Sequence, residues 1–239
     1  MTFALAASGI TMGYGVGQPV VENLDLDVRP GEVVALLGPN GAGKTTTMLA
    51  LAGELPLISG EIRIGGDLTT APLHVRARNG LSFVTEERSV FAGLTTAENL
   101  RVARCDVEAA LSLFPELNTR IDVRAGLLSG GEQQMLTLAR ALTRQPQILL
   151  ADELSLGLAP KIVTRLLEAV RLAAQEQNAA VLLVEQHVRK VLRYVDRVYV
   201  MNRGRIVLSG GAADMRGRID EIEAAYLHGR SDAPGTDVA

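Results

Sequence analysis

The 239-residue chain has a single cysteine, Cys105, no tryptophan, and only 3% aromatic residues. One thiol excludes an internal disulfide, so the fold must rest on packing. A basic surplus is also missing: 24 Lys and Arg stand against 27 Asp and Glu, a formal charge of -3. That balance argues against a protein that wraps nucleic-acid phosphate. Long apolar runs are absent too. The stretches VVALLG and AAVLLVEQ fall far short of the roughly 18 to 20 residues that span a bilayer. The start MTFALAASGI lacks the basic and long apolar segments of a secretory signal. A cytoplasmic location is expected, with any membrane link made through partners. What the chain does have is aliphatic residues. With 47% hydrophobic residues and so few rings, the core reads as buried parallel strands covered by helices. The length suits one α/β core with a smaller lobe attached.

Along the chain, residues 1–35 are β-rich, short apolar runs broken by Gly13-Tyr14-Gly15, Gly17 and the turn Arg29-Pro30-Gly31-Glu32. Val33 to Leu37 is a continuous apolar strand, and Lys44 to Ala52 a helix. Strand signals follow at Ser59 to Gly66 and Gly80 to Val84, then the pattern turns helical from about Glu87 to Leu127, with helices expected at 96–104 and 107–114. Further strands are expected at 147–151, 179–184 and 197–201, with helices at 132–143, 160–177 and 187–194 between them. Strands alternating with helices imply a parallel sheet. The small, polar residues 230–239 read as a disordered tail.

The stretch GPNGAGKTT at 38–46 follows a buried strand and opens a helix, the context that makes Gly-x-x-x-x-Gly-Lys-Thr a phosphate loop. Glycines let consecutive N–H groups curl around an anion, and the helix N-terminus adds about half a positive charge. Lys44 supplies a full charge near the β- and γ-phosphates, and the Thr45 hydroxyl suits Mg²⁺. The nucleotide contacts fall on Asn40, Gly41, Gly43, Lys44, Thr45 and Thr46. A second stretch, Leu128-Ser129-Gly130-Gly131-Glu132-Gln133-Gln134, opens another helix, with Ser129 as N-cap and Glu132 completing a capping box. Two glycines in its first turn weaken a helix by roughly 1 kcal/mol each, tolerable if exposed amides approach a second anion.

GPNGAGKTT, LSGGEQQ, ILLADE at 148–153 and His187 after a strand, in that order, resemble the ATPase subunit of an ABC transporter over residues 3–229. The resemblance implies a P-loop NTPase core of mainly parallel sheet, an N-terminal antiparallel β subdomain and an inserted helical subdomain at about 87–135. It implies ATP and Mg²⁺ as ligands, and two subunits packed head to tail, each ATP held between one subunit's phosphate loop and the other's Ser129, Gly130 and Gly131. Asp152 would hold Mg²⁺, Glu153 would be the general base, His187 the γ-phosphate sensor, and Tyr14 the aromatic that stacks on adenine.

The chain departs from the family's pattern in places. Glu86 stands where most members have a Gln that contacts Mg²⁺ and water, and the acidic residue could bind metal but not donate. Glu86, Val90-Phe91, Thr96 to Leu100, Ser155 to Pro160 and Ala225 to Gly229 resemble the smaller ATPase subunit of branched-chain amino-acid importers. Thr85 and Glu87 replace that group's Pro and Gly, Leu154 replaces a Pro, and Leu158 lies in a loop without the Asp that many relatives carry. The partners implied are a second ATPase subunit, like or unlike, integral-membrane permeases and, indirectly, an extracytoplasmic solute receptor, with no nucleic acid. Competing readings are a soluble ABC ATPase acting on ribosomes or DNA, a urea importer, and a small-molecule kinase, the last leaving LSGGEQQ unexplained.

Overall fold

The computed structural model describes residues 3–15 and 18–227; the tail expected at 230–239 lies outside them. In chain order these form β1 (Leu5–Met12), β2 (Val21–Val28), β3 (Val33–Leu37), α1 (Lys44–Ala52), β4 (Ser59–Ile64), β5 (Asp67–Leu68), α2 (Leu73–Arg78) and β6 (Leu81–Val84). There follow α3 (Thr96–Val102), α4 (Val107–Leu113), α5 (Gly130–Leu142), β7 (Ile148–Asp152), α6 (Pro160–Gln177), β8 (Ala180–Glu185) and α7 (Val188–Val191). The described residues end on β9 (Arg197–Asn202), β10 (Arg205–Gly211), α8 (Ala212–Met215) and α9 (Ile219–Leu227).

Two sheets result. The first is antiparallel, in the order β2-β1-β4-β5. The second has the order β10-β9-β3-β8-β7-β6, parallel throughout except for the antiparallel edge strand β10. Strand β3 shows why its sequence is apolar at every position. Side chains alternate between the two faces of a strand. Val33, Ala35 and Leu37 join the core under the helices α5 and α6, while Val34 and Leu36 join the core shared with the first sheet and α1. Both faces are covered, so neither can be polar.

Residues 87–135 hold α3, α4 and two 3₁₀ turns at Pro115–Arg120 and Ala125–Leu127 before the start of α5. Thr95 and Glu98 cap α3 reciprocally, the Glu98 N–H donating to Thr95 Oγ1 at 3.1 Å and the Thr95 N–H to Glu98 Oε2 at 2.7 Å. Buried Asn99 ties the preceding loop down, accepting from the Phe91 N–H at 2.9 Å and donating to the Phe91 carbonyl at 3.1 Å. Phe114, fully buried, and Leu117 weld this lobe to the larger core.

Candidate functional site

The site begins where β3 stops. A Cβ at Gly38 would lie 2.3 Å from the Met201 carbonyl oxygen, so only glycine lets the chain turn there. Gly43, at φ 104°, is the N-cap of α1, and no side chain caps that helix. Its first-turn N–H groups are therefore left for a ligand, on a helix end that favours negative charge. Lys44 is buried, its Nζ donating to the carbonyls of Gly38 at 3.0 Å and Pro39 at 3.1 Å. It lies 3.8 Å from Glu153 Oε1. Burial lowers the Lys44 pKa, against the opposing pull of Glu153 and Asp152.

The acidic half of the site comes from the end of β7. Asp152 is 2% exposed, and its Oδ1 has no hydrogen-bond partner. Burial raises it to about 6, against a hydrogen bond from Thr45. An orphaned carboxylate oxygen next to a threonine hydroxyl fits Mg²⁺, which takes one or two protein oxygens and completes its shell with phosphate and water. Glu153 follows with φ 48°, a left-handed conformation costly for a side-chain-bearing residue and concentrated at functional positions. Its N–H donates to the Val184 carbonyl at 3.0 Å, and its carboxylate accepts from Gln186 Nε2 at 2.8 Å on both oxygens.

One cavity of about 350 Å³ gathers these groups: Asn40, Gly41, Gly43, Lys44, Thr45 and Thr46 from the loop and α1, with Glu86, Glu153 and Gln186 facing them. Exposed Glu86 thus reaches the same space as Thr45. Tyr14 is 61% exposed, its hydroxyl 3.4 Å from Oγ1 of Thr46, which lines the cavity. Ser129, Gly130 and Gly131 do not line the cavity. They form the start of α5, where the Glu132 N–H donates to Ser129 Oγ at 3.3 Å and the Ser129 N–H to Glu132 Oε2 at 2.8 Å, the capping box expected from the sequence.

His187 falls elsewhere. It is exposed and borders a neighbouring cavity with Leu158, Pro160, Val163 and Tyr226, while Gln186 lines both that cavity and the one at the phosphate loop. The residue expected as γ-phosphate sensor thus lies outside the lining of the phosphate-loop cavity, and β8 runs through Glu185, one residue beyond the expected end at Val184. Sequence reading missed Gln186, and missed Glu185, which is buried and holds Ser155 just beyond Glu153. The only signal was the run Glu185-Gln186-His187, three polar residues at the end of an apolar strand.

The family model described as "ABC transporter" matches residues 21–155. The high-affinity branched-chain amino acid transport ATP-binding protein BraG of Pseudomonas aeruginosa is 38% identical over 94% of this chain and 100% of its own length. A probable branched-chain amino acid transport ATP-binding protein, LivF of Archaeoglobus fulgidus, is 34% identical over 82% of this chain and 87% of its own. The lipopolysaccharide export system ATP-binding protein LptB of Escherichia coli is 35% identical over 93% and 96%. Among solved structures, an ATP-binding subunit of an ABC transporter superposes with a TM-score of 0.78 at 27% identity, covering 94% of this chain and 99% of that one.

Proposed function

The chain belongs to the ABC transporter ATP-binding family and hydrolyses ATP, and from that premise we propose that it is the energy-supplying subunit of an importer for branched-chain or related amino acids. The observation that carries the reading is the end-to-end similarity to BraG, with LivF in the same direction. LptB, of a lipopolysaccharide export system, is similar at 35% identity; in this reading the ATPase subunit supplies energy and the permease selects the cargo.

In this reading the phosphate-loop amides and Lys44 bind the ATP phosphates, and Tyr14 stacks on the adenine. Mg²⁺, held by Thr45 and Asp152 with Glu86 nearby, would neutralise charge developing on the phosphates. Glu153 takes a proton from the water whose oxygen bonds to the γ-phosphorus as the bond to the β-phosphate oxygen breaks. Ser129, Gly130 and Gly131 lie outside their own chain's cavity, which suits a role on the nucleotide of a second ATPase subunit, identical or not. Leu127, 79% exposed immediately before that segment, offers apolar surface for such a partner. A groove beside Glu86, of about 550 Å³ and lined by Phe83, Phe91 and Val102, suits a permease helix. No helix among the described residues is long and apolar enough to cross a membrane; docking on permeases at the cytoplasmic face supplies the membrane link, and a solute receptor acts through them.

ATP bound between two subunits favours the closed pair, and hydrolysis removes that preference, the difference being available to move the permease. Uptake tests the proposal. With Glu153→Gln replacing the native protein in its own cell, ATP-driven uptake of labelled leucine, isoleucine and valine falls to background. Unchanged uptake of all three contradicts the solute assignment.

A further inference from the structure

We propose that Gln186 is the residue that positions the Glu153 carboxylate for ATP hydrolysis, and that His187 has no part in this. The inference rests on the reading of Glu153 as general base. Gln186 Nε2 stands 2.8 Å from both Glu153 oxygens. Equal approach to the two oxygens fixes the carboxylate's rotation, which a bond to one oxygen would leave free. The remaining lone pairs then point in a set direction and stay open to water.

Glu153 needs such a holder. Its backbone sits in the left-handed region, and Lys44 Nζ, 3.8 Å away, turns to phosphate in the proposed mechanism when nucleotide binds. Gln186 is itself anchored from below. Glu185, the last residue of β8, accepts from the Ser155 N–H at 3.1 Å and from the Ser155 hydroxyl. The residue before Gln186 therefore grips the residue two beyond Glu153, while Gln186 grips Glu153 itself. These two links lock the end of β8 to the loop after β7. A neutral amide also donates at every pH, so the orientation of Glu153 does not depend on an imidazole being in one protonation state. His187, exposed and bordering the neighbouring cavity, makes none of these contacts.

Steady-state ATP hydrolysis by the full-length chain decides the matter. Gln186→Met keeps the side-chain length and removes the donor. It is expected to lower kcat at least tenfold while KM for ATP stays within threefold, since the loss falls on orientation and not on binding. Gln186→Asn, polar but one methylene shorter, is expected to give the same loss, separating reach from packing. Gln186→His, which restores an N–H donor, recovers part of kcat, and His187→Ala stays within twofold of the unaltered chain. Wild-type kcat in Gln186→Met and Gln186→Asn, or a tenfold loss in His187→Ala, overturns the proposal. If Glu153→Gln hydrolyses ATP at the wild-type rate, the general-base reading fails and takes the proposal with it. Loss of turnover in Glu153→Gln with full turnover in both Gln186 variants sinks the positioning role alone.

Discussion

Glu185 and Ser155 meet across the ends of two adjacent parallel strands, β8 and β7. The Glu185 carboxylate accepts from the Ser155 N–H at 3.1 Å and from its hydroxyl. Both bonds favour the charged carboxylate, yet burial outweighs them and raises the Glu185 pKa from 4.5 to about 7. The native protein thus binds a proton that the unfolded chain has already released above its ordinary value. Stability from this group is full below pH 4.5 and is lost as pH rises to about 7. Asp152, raised by burial to about 6, acts in the same direction. Glu185→Gln, always neutral, is expected to flatten the fall in urea midpoint between pH 4.5 and 7 without abolishing it. An identical slope in the variant would refute the buried-carboxylate account.

Removing Lys44 takes away a cation buried at the phosphate loop, where it lies 3.8 Å from Glu153. Charge-assisted hydrogen bonds are worth about 1.5–3 kcal/mol, so Lys44→Ala is expected to weaken ATP binding by about 10- to 100-fold. Titration calorimetry measures it, with circular dichroism checking that the fold survives.

The orphaned Asp152 Oδ1 makes a separate claim about metal. Asp152→Asn keeps the shape and removes the charge, so ATP affinity without Mg²⁺ is expected to stay within a few-fold of the unaltered chain, while the gain on adding Mg²⁺ largely disappears. Equal Mg²⁺ enhancement in both proteins would place the ion elsewhere.

Phe114 is fully buried where the helical lobe meets the core beneath α5 and α6, with the Arg165 guanidinium 5.5 Å from its ring centre. Phe114→Ala is expected to cost about 3–5 kcal/mol of stability, read as a lower urea midpoint. A change under about 1 kcal/mol would show that the lobe contributes little to the global fold.

Much of the architecture was legible because it is local. Five consecutive apolar residues at 33–37 mark a strand covered on both faces, and Ser129 with Glu132 announces the start of α5 by its own capping chemistry. The glycine spacing from Gly38 to Gly43 carries its meaning within a few residues. What escaped detection depends on tertiary context. The six-residue α2 has only Pro72 before it and no side-chain cap, and the edge strand β10 is defined by pairing with β9. The end of β8 has the same origin: the strand reaches Glu185 through its pairing to β3, where Leu37 lies opposite, and no feature at 184–187 alone sets that end point. The Ser155–Glu185 contact joins residues 30 apart, beyond the reach of any local pattern.

A pull-down from native membranes in mild detergent, using tagged Glu153→Gln protein with ATP and Mg²⁺, tests the central claim most directly. With Glu153 as general base, the variant is expected to retain the nucleotide and so hold its assembly together. The account predicts co-purification of integral-membrane permease subunits together with a second ATPase subunit. Recovery of ribosomal or DNA-bound partners, with no integral-membrane protein, would contradict it.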